Sequence, residues 1–317
     1  MGEPSAASDS PSRYNVADLV QKAQDFLTEI PPQEDLAQRF LERALELEPA
    51  NTDVLDAYGE LMSHLNETER AIMVLKKSVE LAPAANPAKY MYLAQMLSGR
   101  QALDFAKVGV TMMEGEASRT PEMNQQLAAA YCHVVELYMT DLCDEPEAQE
   151  QCEKALQLAR VVDEKNVEVL TALATYKKTI GEVEEARMWI QQAVARIRSC
   201  EGDLDVLPTF EVRSNVSRIL LDLGLTEEAL EILHALLDED DEDFQVWHTL
   251  GCAHHFKKDR ACGEECVERL RALLANGDQD AAAELVEMVD DLERELSQLP
   301  EPGEDEAEPD DVDVSMD

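Results

Sequence analysis

Residues 52–83, TDVLDAYGELMSHLNETERAIMVLKKSVELAP, decide how this chain folds. They read as two short helices joined by a polar turn, Asn66-Glu67-Thr68. Leu55, Tyr58, Gly59 and Met62 recur at helical spacing on the first helix, and Ala71, Leu75, Ser78 and Leu81 on the second. Pro83 ends the second, because proline has no N–H to donate and drives the residue before it out of helical backbone. The small residues Gly59, Ala71 and Ser78 mark where one helix passes close to the other. A pair this short cannot bury its own apolar face, so it needs copies of itself on either side.

The sequence supplies the copies. A helix is expected to begin near Asn15, with Val16, Leu19, Val20, Ala23, Phe26 and Leu27 on one stripe, and to end at Pro31-Pro32. A second follows over about 33–47, with Ala37, Leu41 and Ala44 in the places of Ala71, Leu75 and Ser78. Pro49 and Pro83 lie 34 residues apart, the period of a tetratricopeptide repeat. Taking the small residue of each second helix as a register mark gives Ala37, Ala71, Ala106, Ala148, Ala186, Ala229 and Gly263. First helices carry matching sets, Tyr90-Leu93-Ala94, Leu170-Leu173-Ala174 and Trp247-Leu250-Gly251. Ser98-Gly99-Arg100, Gly181-Glu182 and Gly224-Leu225-Thr226 fall where the turns of later pairs belong. The fold class is therefore all-α, a tetratricopeptide-repeat superhelix of about seven helix-turn-helix units plus a capping helix over about 279–299. A first helix of the fourth unit over 121–143 is expected to be two turns longer than usual. The domain plan is a disordered start (1–13), the array with its cap (14–299) and a disordered acidic tail (300–317).

Charge bounds the partners. The chain has 68 acidic and 27 basic residues, a formal net charge of −41. Such a field repels nucleic-acid phosphates and anionic membrane surfaces and attracts a basic protein in a salt-sensitive way. The stretch 301–317 carries nine acidic residues and no Lys or Arg. The start lacks an apolar segment of the secretory type, and no apolar run approaches the length of a membrane helix. Met1-Gly2 begins a myristoylation-like pattern, but Ala6 stands where Ser or Thr is wanted, so a plain disordered start is the reading. Seven cysteines without a framework read as free thiols.

Three chemistries are open to these residues. Cys252, His254, His255, Cys262 and Cys266 crowd the last unit, yet Cys262 and Cys266 flank Gly263, a packing position; they read as small hydrophobes, with no metal or cofactor expected. No glycine-rich phosphate loop follows a strand, and the carboxylates spread over helix faces without a distinct acid–base pair, so no catalytic residues and no enzyme are expected. A groove lined by first helices is the third possibility. On the register, Asp53, Asp56 and Glu60 face it from the second unit, Glu122, Gln125 and Glu136 from the fourth, Glu168 from the fifth and Glu211 from the sixth. The run Asp238, Glu239, Asp240, Asp241, Glu242 and Asp243 is expected to add a mobile anionic patch, like the tail. A clamp for the C-terminal carboxylate of heat-shock chaperones would need Lys, Arg and Asn here, and Asp56 and Glu60 would repel that ligand.

The segment 88–97, AKYMYLAQML, followed by Phe105 and Glu114-Gly115-Glu116, resembles one branch of the repeat family, the assembly chaperones of large-subunit ribosomal protein L-four. Those are acidic arrays with an acidic C-terminal tail, and the similarity runs from about Leu36 to the tail. The chain departs from the pattern at Met113, where a small residue is usual, and at Arg213 and Ser217. The resemblance implies a non-enzymatic chaperone, monomeric, that captures the newly made ribosomal protein, shields its basic internal loop and escorts it between cytoplasm and nucleus. A repeat scaffold in a larger complex and an acidic histone-type chaperone are the alternatives.

Overall fold

The computed structural model describes residues 14–29, 31–200, 202–203, 206–276 and 282–300. Among them are fifteen α-helices and no strand: α1 (Val16–Leu27), α2 (Glu34–Leu47), α3 (Thr52–His64), α4 (Thr68–Leu81), α5 (Ala88–Met96), α6 (Gly99–Glu114), α7 (Pro121–Met139), α8 (Ala148–Val162), α9 (Val167–Thr179), α10 (Val183–Cys200), α11 (Phe210–Asp222), α12 (Thr226–Glu239), α13 (Phe244–Phe256), α14 (Arg260–Asn276) and α15 (Ala282–Ser297). They form seven antiparallel pairs and a fifteenth helix packed on α13 and α14. The chain divides into two compact units, 1–164 and 165–317. The first holds the pairs from α1 to α8; the second holds those from α9 to α14, with α15. The expected disordered ends, 1–13 and 301–317, lie outside the described residues. No helix among the described residues is long and apolar enough to cross a membrane.

The two helices of a pair start differently. Six of the eight odd-numbered helices open on a side-chain cap, which satisfies N–H groups the first turn leaves unpaired. Asn15, Asn51, Thr120, Asn166, Thr209 and Asp243 each accept from backbone N–H groups two or three residues ahead. Several even helices instead start from a tight turn whose pivotal residue has left-handed backbone: Asn66, Gly181, Gly224 and Lys258 all have positive φ. In each of these four turns the next N–H reaches back to a carbonyl five residues earlier: Glu67 to Met62, Glu182 to Lys177, Leu225 to Leu220 and Asp259 to His254. That is the glycine-type helix stop run directly into the next helix start. Three of the four were legible as Asn or Gly; Lys258 was not.

Packing confirms the register in five of the seven pairs and shifts it in two. Ala37, Ala71, Ala186, Ala229 and Gly263 each lie three residues into their helix and are buried. In α6 that place belongs to Ala102, a turn before the expected Ala106, and in α8 the matching buried set starts from Cys152, a turn after Ala148. The cause is unequal helix length. α5 has 9 residues and α7 has 19, against 13 for α3, α9, α11 and α13. α7 also ends at Met139, a turn short of the expected boundary.

Each compact unit has its own core. In the first, Leu19, Phe26, Phe40, Leu41, Tyr58 and Met62 pack together, with the Phe26 and Phe40 rings edge-to-face at 5.3 Å. In the second, Leu170, Ile190, Ile219, Leu220, Leu233 and Leu250 form the centre, and Leu292 and Leu296 of α15 close the end against Val267 and Leu270. The apolar stripe of α4 stops at Ser78: Leu81 is 49% exposed. Gly59 is the point of closest approach within its pair, because a Cβ built there would lie 2.5 Å from the Leu75 side chain. Gly59→Val should therefore force the pair apart at a cost of about 1–3 kcal/mol, read as a lower urea midpoint for the full chain.

Candidate functional site

The carboxylates that the sequence assigns to one groove separate, in three dimensions, into those the fold uses and those it leaves at the surface. Asp56 belongs to the first class, which corrects its expected groove-facing place. It is 9% exposed and accepts hydrogen bonds from the Ser78 hydroxyl on one oxygen and from Asn86 Nδ2 (2.8 Å) on the other. Beside it the Lys89 ammonium is fully buried, donating to Ser78 Oγ at 3.2 Å and to the Ala82 carbonyl at 2.7 Å. Ser78 is fully buried on α4, and its hydroxyl is within reach of both charged groups. This network ties the second helical pair to the third.

The acidic run is likewise built into a turn, so the expectation of a mobile patch is corrected. Glu239, in the last turn of α12, takes both Nη atoms of Arg213 at 2.6 and 2.7 Å, while Arg213 Nε donates to the Pro208 carbonyl at 2.9 Å. Arg213 is 5% exposed; the large apolar residue usual there is replaced by a buried guanidinium with a bidentate partner. That hydrogen bond holds the Glu239 carboxyl below its usual range. Asp240 accepts from the Glu242 N–H (2.9 Å), and Asp243 caps α13 through the Val246 N–H (2.8 Å). Asp241 accepts from Arg269 on its side chain (3.1 Å) and from Trp247 Nε1 on its carbonyl (2.8 Å). Asp238 and Glu242 point to solvent.

The remaining candidates lie on first helices, which pack side by side within each compact unit: α3 beside α5, α9 beside α11, α11 beside α13. Asp53 is exposed on the first turn of α3. Glu60 is exposed and accepts from the Tyr92 hydroxyl of α5 at 2.8 Å, and the Tyr92 ring meets His64 edge-on at 6.2 Å. Burial, then the Glu60 contact, pushes the Tyr92 hydroxyl pKa far up, so it stays a neutral donor. Tyr92 and His64 were not among the sequence candidates; an aromatic one helix away from a carboxylate leaves no local pattern. On α7, Glu122 and Gln125 are exposed near the helix start, the Thr120 side chain lowering the Glu122 pKa, while Glu136 lies 3.4 Å from His133 Nδ1.

Glu168 and Glu211 are the two sequence candidates that the structure brings together. They occupy equivalent places in the first turns of α9 and α11, which are neighbouring first helices. Burial raises the Glu168 pKa, and the Glu211 charge raises it further. Glu168 is half-buried and Glu211 is exposed, so the cost of charge falls on Glu168, and a cation brought beside it would offset that cost.

No family model matches the sequence. Across 229 residues it is 31% identical to a protein of Schizosaccharomyces pombe named as a probable assembly chaperone of rpl4, covering 69% of this chain and 68% of that one. The chain belongs to this family. A second member, from Emericella nidulans, is 26% identical over 227 residues, 68% of this chain and 58% of that protein. Assembly chaperones of rpl4 also include a solved relative, described as the assembly chaperone of RpL4 (Acl4, residues 1–338). It superposes with a TM-score of 0.64 over 83% of this chain and 100% of that one, at 22% identity. A tetratricopeptide repeat protein from Parabacteroides merdae superposes at 0.52 over 89% of this chain and 98% of its own, at 14% identity. These two superpositions establish the tetratricopeptide fold of this family member.

Two outcomes follow from the partition of carboxylates. Asp56→Ala should lower stability by about 1–3 kcal/mol, because it strands buried donors, whereas Asp53→Ala should stay within about 0.5 kcal/mol; urea unfolding of both decides it. Glu168 behaves oppositely to a paired carboxylate. Its folded-state pKa lies above the ordinary 4.5, so the folded chain holds the proton more tightly and stability falls as pH rises through that window. Glu168→Gln should thus raise the melting temperature near pH 7 and lose that advantage near pH 4.

Proposed function

We propose that this chain is a dedicated, non-enzymatic chaperone that captures newly made ribosomal protein L-four, covers its basic internal loop and delivers it for ribosome assembly. The observation that carries the reading is the placement of Glu168 and Glu211 at equivalent positions on the neighbouring first helices α9 and α11, in a chain with a formal charge of −41. Kinship with proteins named for rpl4 supports the choice of client. The physics is that of shielding. A ribosomal protein away from its RNA exposes Lys- and Arg-rich segments that bind polyanions indiscriminately, and a carboxylate-lined surface occupies them until ribosomal RNA competes for the same charges. Asp53, Glu60, Glu122, Glu136, Glu168, Glu211, Asp238 and Glu242 are the contacts of this reading. Asp56, which is buried, and Glu239, Asp240, Asp241 and Asp243, which are engaged in the turn between α12 and α13, shape the surface instead of contacting the client. The chaperone works as a monomer, does not itself hold nucleic acid or membrane, and accompanies its client through cytoplasm and nucleus.

Co-expression with ribosomal protein L-four, alongside a histone pair, tests the proposal. A soluble complex with the ribosomal protein alone, weakening as salt rises, is the expected result. Combining Glu168→Gln with Glu211→Lys should weaken it further without loss of helix content. Complex with both clients would mean a general polyanionic holdase. Complex with neither would overturn the chaperone reading in favour of a scaffold.

A further inference from the structure

The turn between α13 and α14 gathers three side chains of metal-ligating type: His254 from the last turn of α13, Asp259 at the start of α14 and Cys262 in its first turn. Their ligand atoms all lie within 4.8 Å of one another. His254 Nδ1 and Asp259 Oδ2 are 3.5 Å apart. Zinc bonds of roughly 2.0–2.3 Å in a tetrahedron place ligand atoms about 3.3–3.8 Å apart, so small side-chain rotations suffice. The backbone holds the set in register: the Asp259 N–H donates to the His254 carbonyl at 2.9 Å, and the Gly263 N–H donates to the Asp259 carbonyl at 3.1 Å. Asp259 Oδ1 takes the Cys262 N–H at 3.2 Å, which fixes the carboxylate.

A second observation is independent of this spacing. The His254 side chain is 13% exposed, and its solvent-shielded Nδ1 has no closer polar neighbour than Asp259 Oδ2 at 3.5 Å. A buried ring nitrogen so weakly partnered is costly, and a metal ion held with the same carboxylate satisfies it. Lys257, which would otherwise repel a cation here, is paired with Glu227 at 3.0 Å.

We propose that His254, Asp259 and Cys262 form a zinc site in the turn between α13 and α14, with water in the fourth position. The mixed nitrogen, oxygen and sulfur set selects zinc over magnesium or calcium, which take oxygen, and over copper(I), which takes sulfur. On binding, the Cys262 thiol gives up its proton to solvent, and the metal ties the end of α13 to the start of α14 beneath α15.

The full-length, reduced protein titrated with Co²⁺, a visible stand-in for zinc, provides the test. One equivalent should produce thiolate-to-cobalt charge-transfer absorption that Zn²⁺ abolishes by displacement. Cys262→Ser should remove the band, and Asp259→Asn and His254→Gln should each weaken binding by about tenfold or more, while Cys252→Ser keeps it. Circular dichroism checks that each variant retains its helix content. Absence of the band, or a band that survives Cys262→Ser, overturns the proposal. Should Cys262→Ser fail to fold, the unaltered chain still decides: zinc must raise its melting temperature and a chelator must reverse that, and no shift is a refutation.

Discussion

Everything in this molecule depends on helices approaching closely at small side chains. At Gly59 the gap to Leu75 is already closed. Ala37, Ala71, Ala102, Ala186 and Ala229 are all buried where one helix of a pair crosses the other. Close approach lets leucines and aromatics of neighbouring pairs share one core, as Phe26, Phe40 and Tyr58 do. It also explains the low aromatic content of 5%, since helices packed on alanine leave little room for rings.

With the backbones so near, a polar group in the packed layer must find its partner within that layer. Ser78 does so with Asp56 and Lys89, and Arg213 with Glu239 and the Pro208 carbonyl. These are charges in packing positions, each matched by a partner one helix away. The surplus of acidic residues is therefore not uniform in meaning. Some carboxylates are cross-links between helices, some are helix caps such as Asp243, and one, Glu168, is half-buried, its pKa raised by burial and then by the Glu211 charge. A desolvated carboxylate of this kind gains more from a cationic partner than one already paired or capping a helix.

The fold was largely legible in the sequence. The 34-residue recurrence, the proline stops and the Asn or Gly turns gave the seven pairs and the cap, because each follows from backbone chemistry local to a few residues. The register slipped at Ala106 and Ala148 because α5 and α7 depart from the common length, and a fixed period cannot anticipate that. The candidate site was legible only in part. Glu168 and Glu211 come out on neighbouring helices, as the register places them, because equivalent positions of adjacent first helices fall side by side. Asp56 was misread because its partners Ser78, Asn86 and Lys89 come from elsewhere in the chain, and a buried carboxylate looks like an exposed one on a helical wheel. The acidic run was misread for a similar reason: Arg213 lies 26 residues before Glu239, and a run of charge shows no sign of it. Asp259 escaped notice because its role comes from a turn shape set by Lys258, a residue with no turn signature.

The Lys89 ammonium has a consequence for how the molecule is made. It reaches back from α5 to the Ser78 and Ala82 carbonyls at the end of α4. While the chain emerges from the ribosome, those carbonyls and the facing apolar stripe stay open until the third pair has been synthesised. Each pair is thus an incomplete object that waits for its successor, and the fit is inspected by a charged side chain that can be buried only when the helices meet in register. During its own synthesis a protein assembled in this way passes through the exposed condition against which a chaperone protects others.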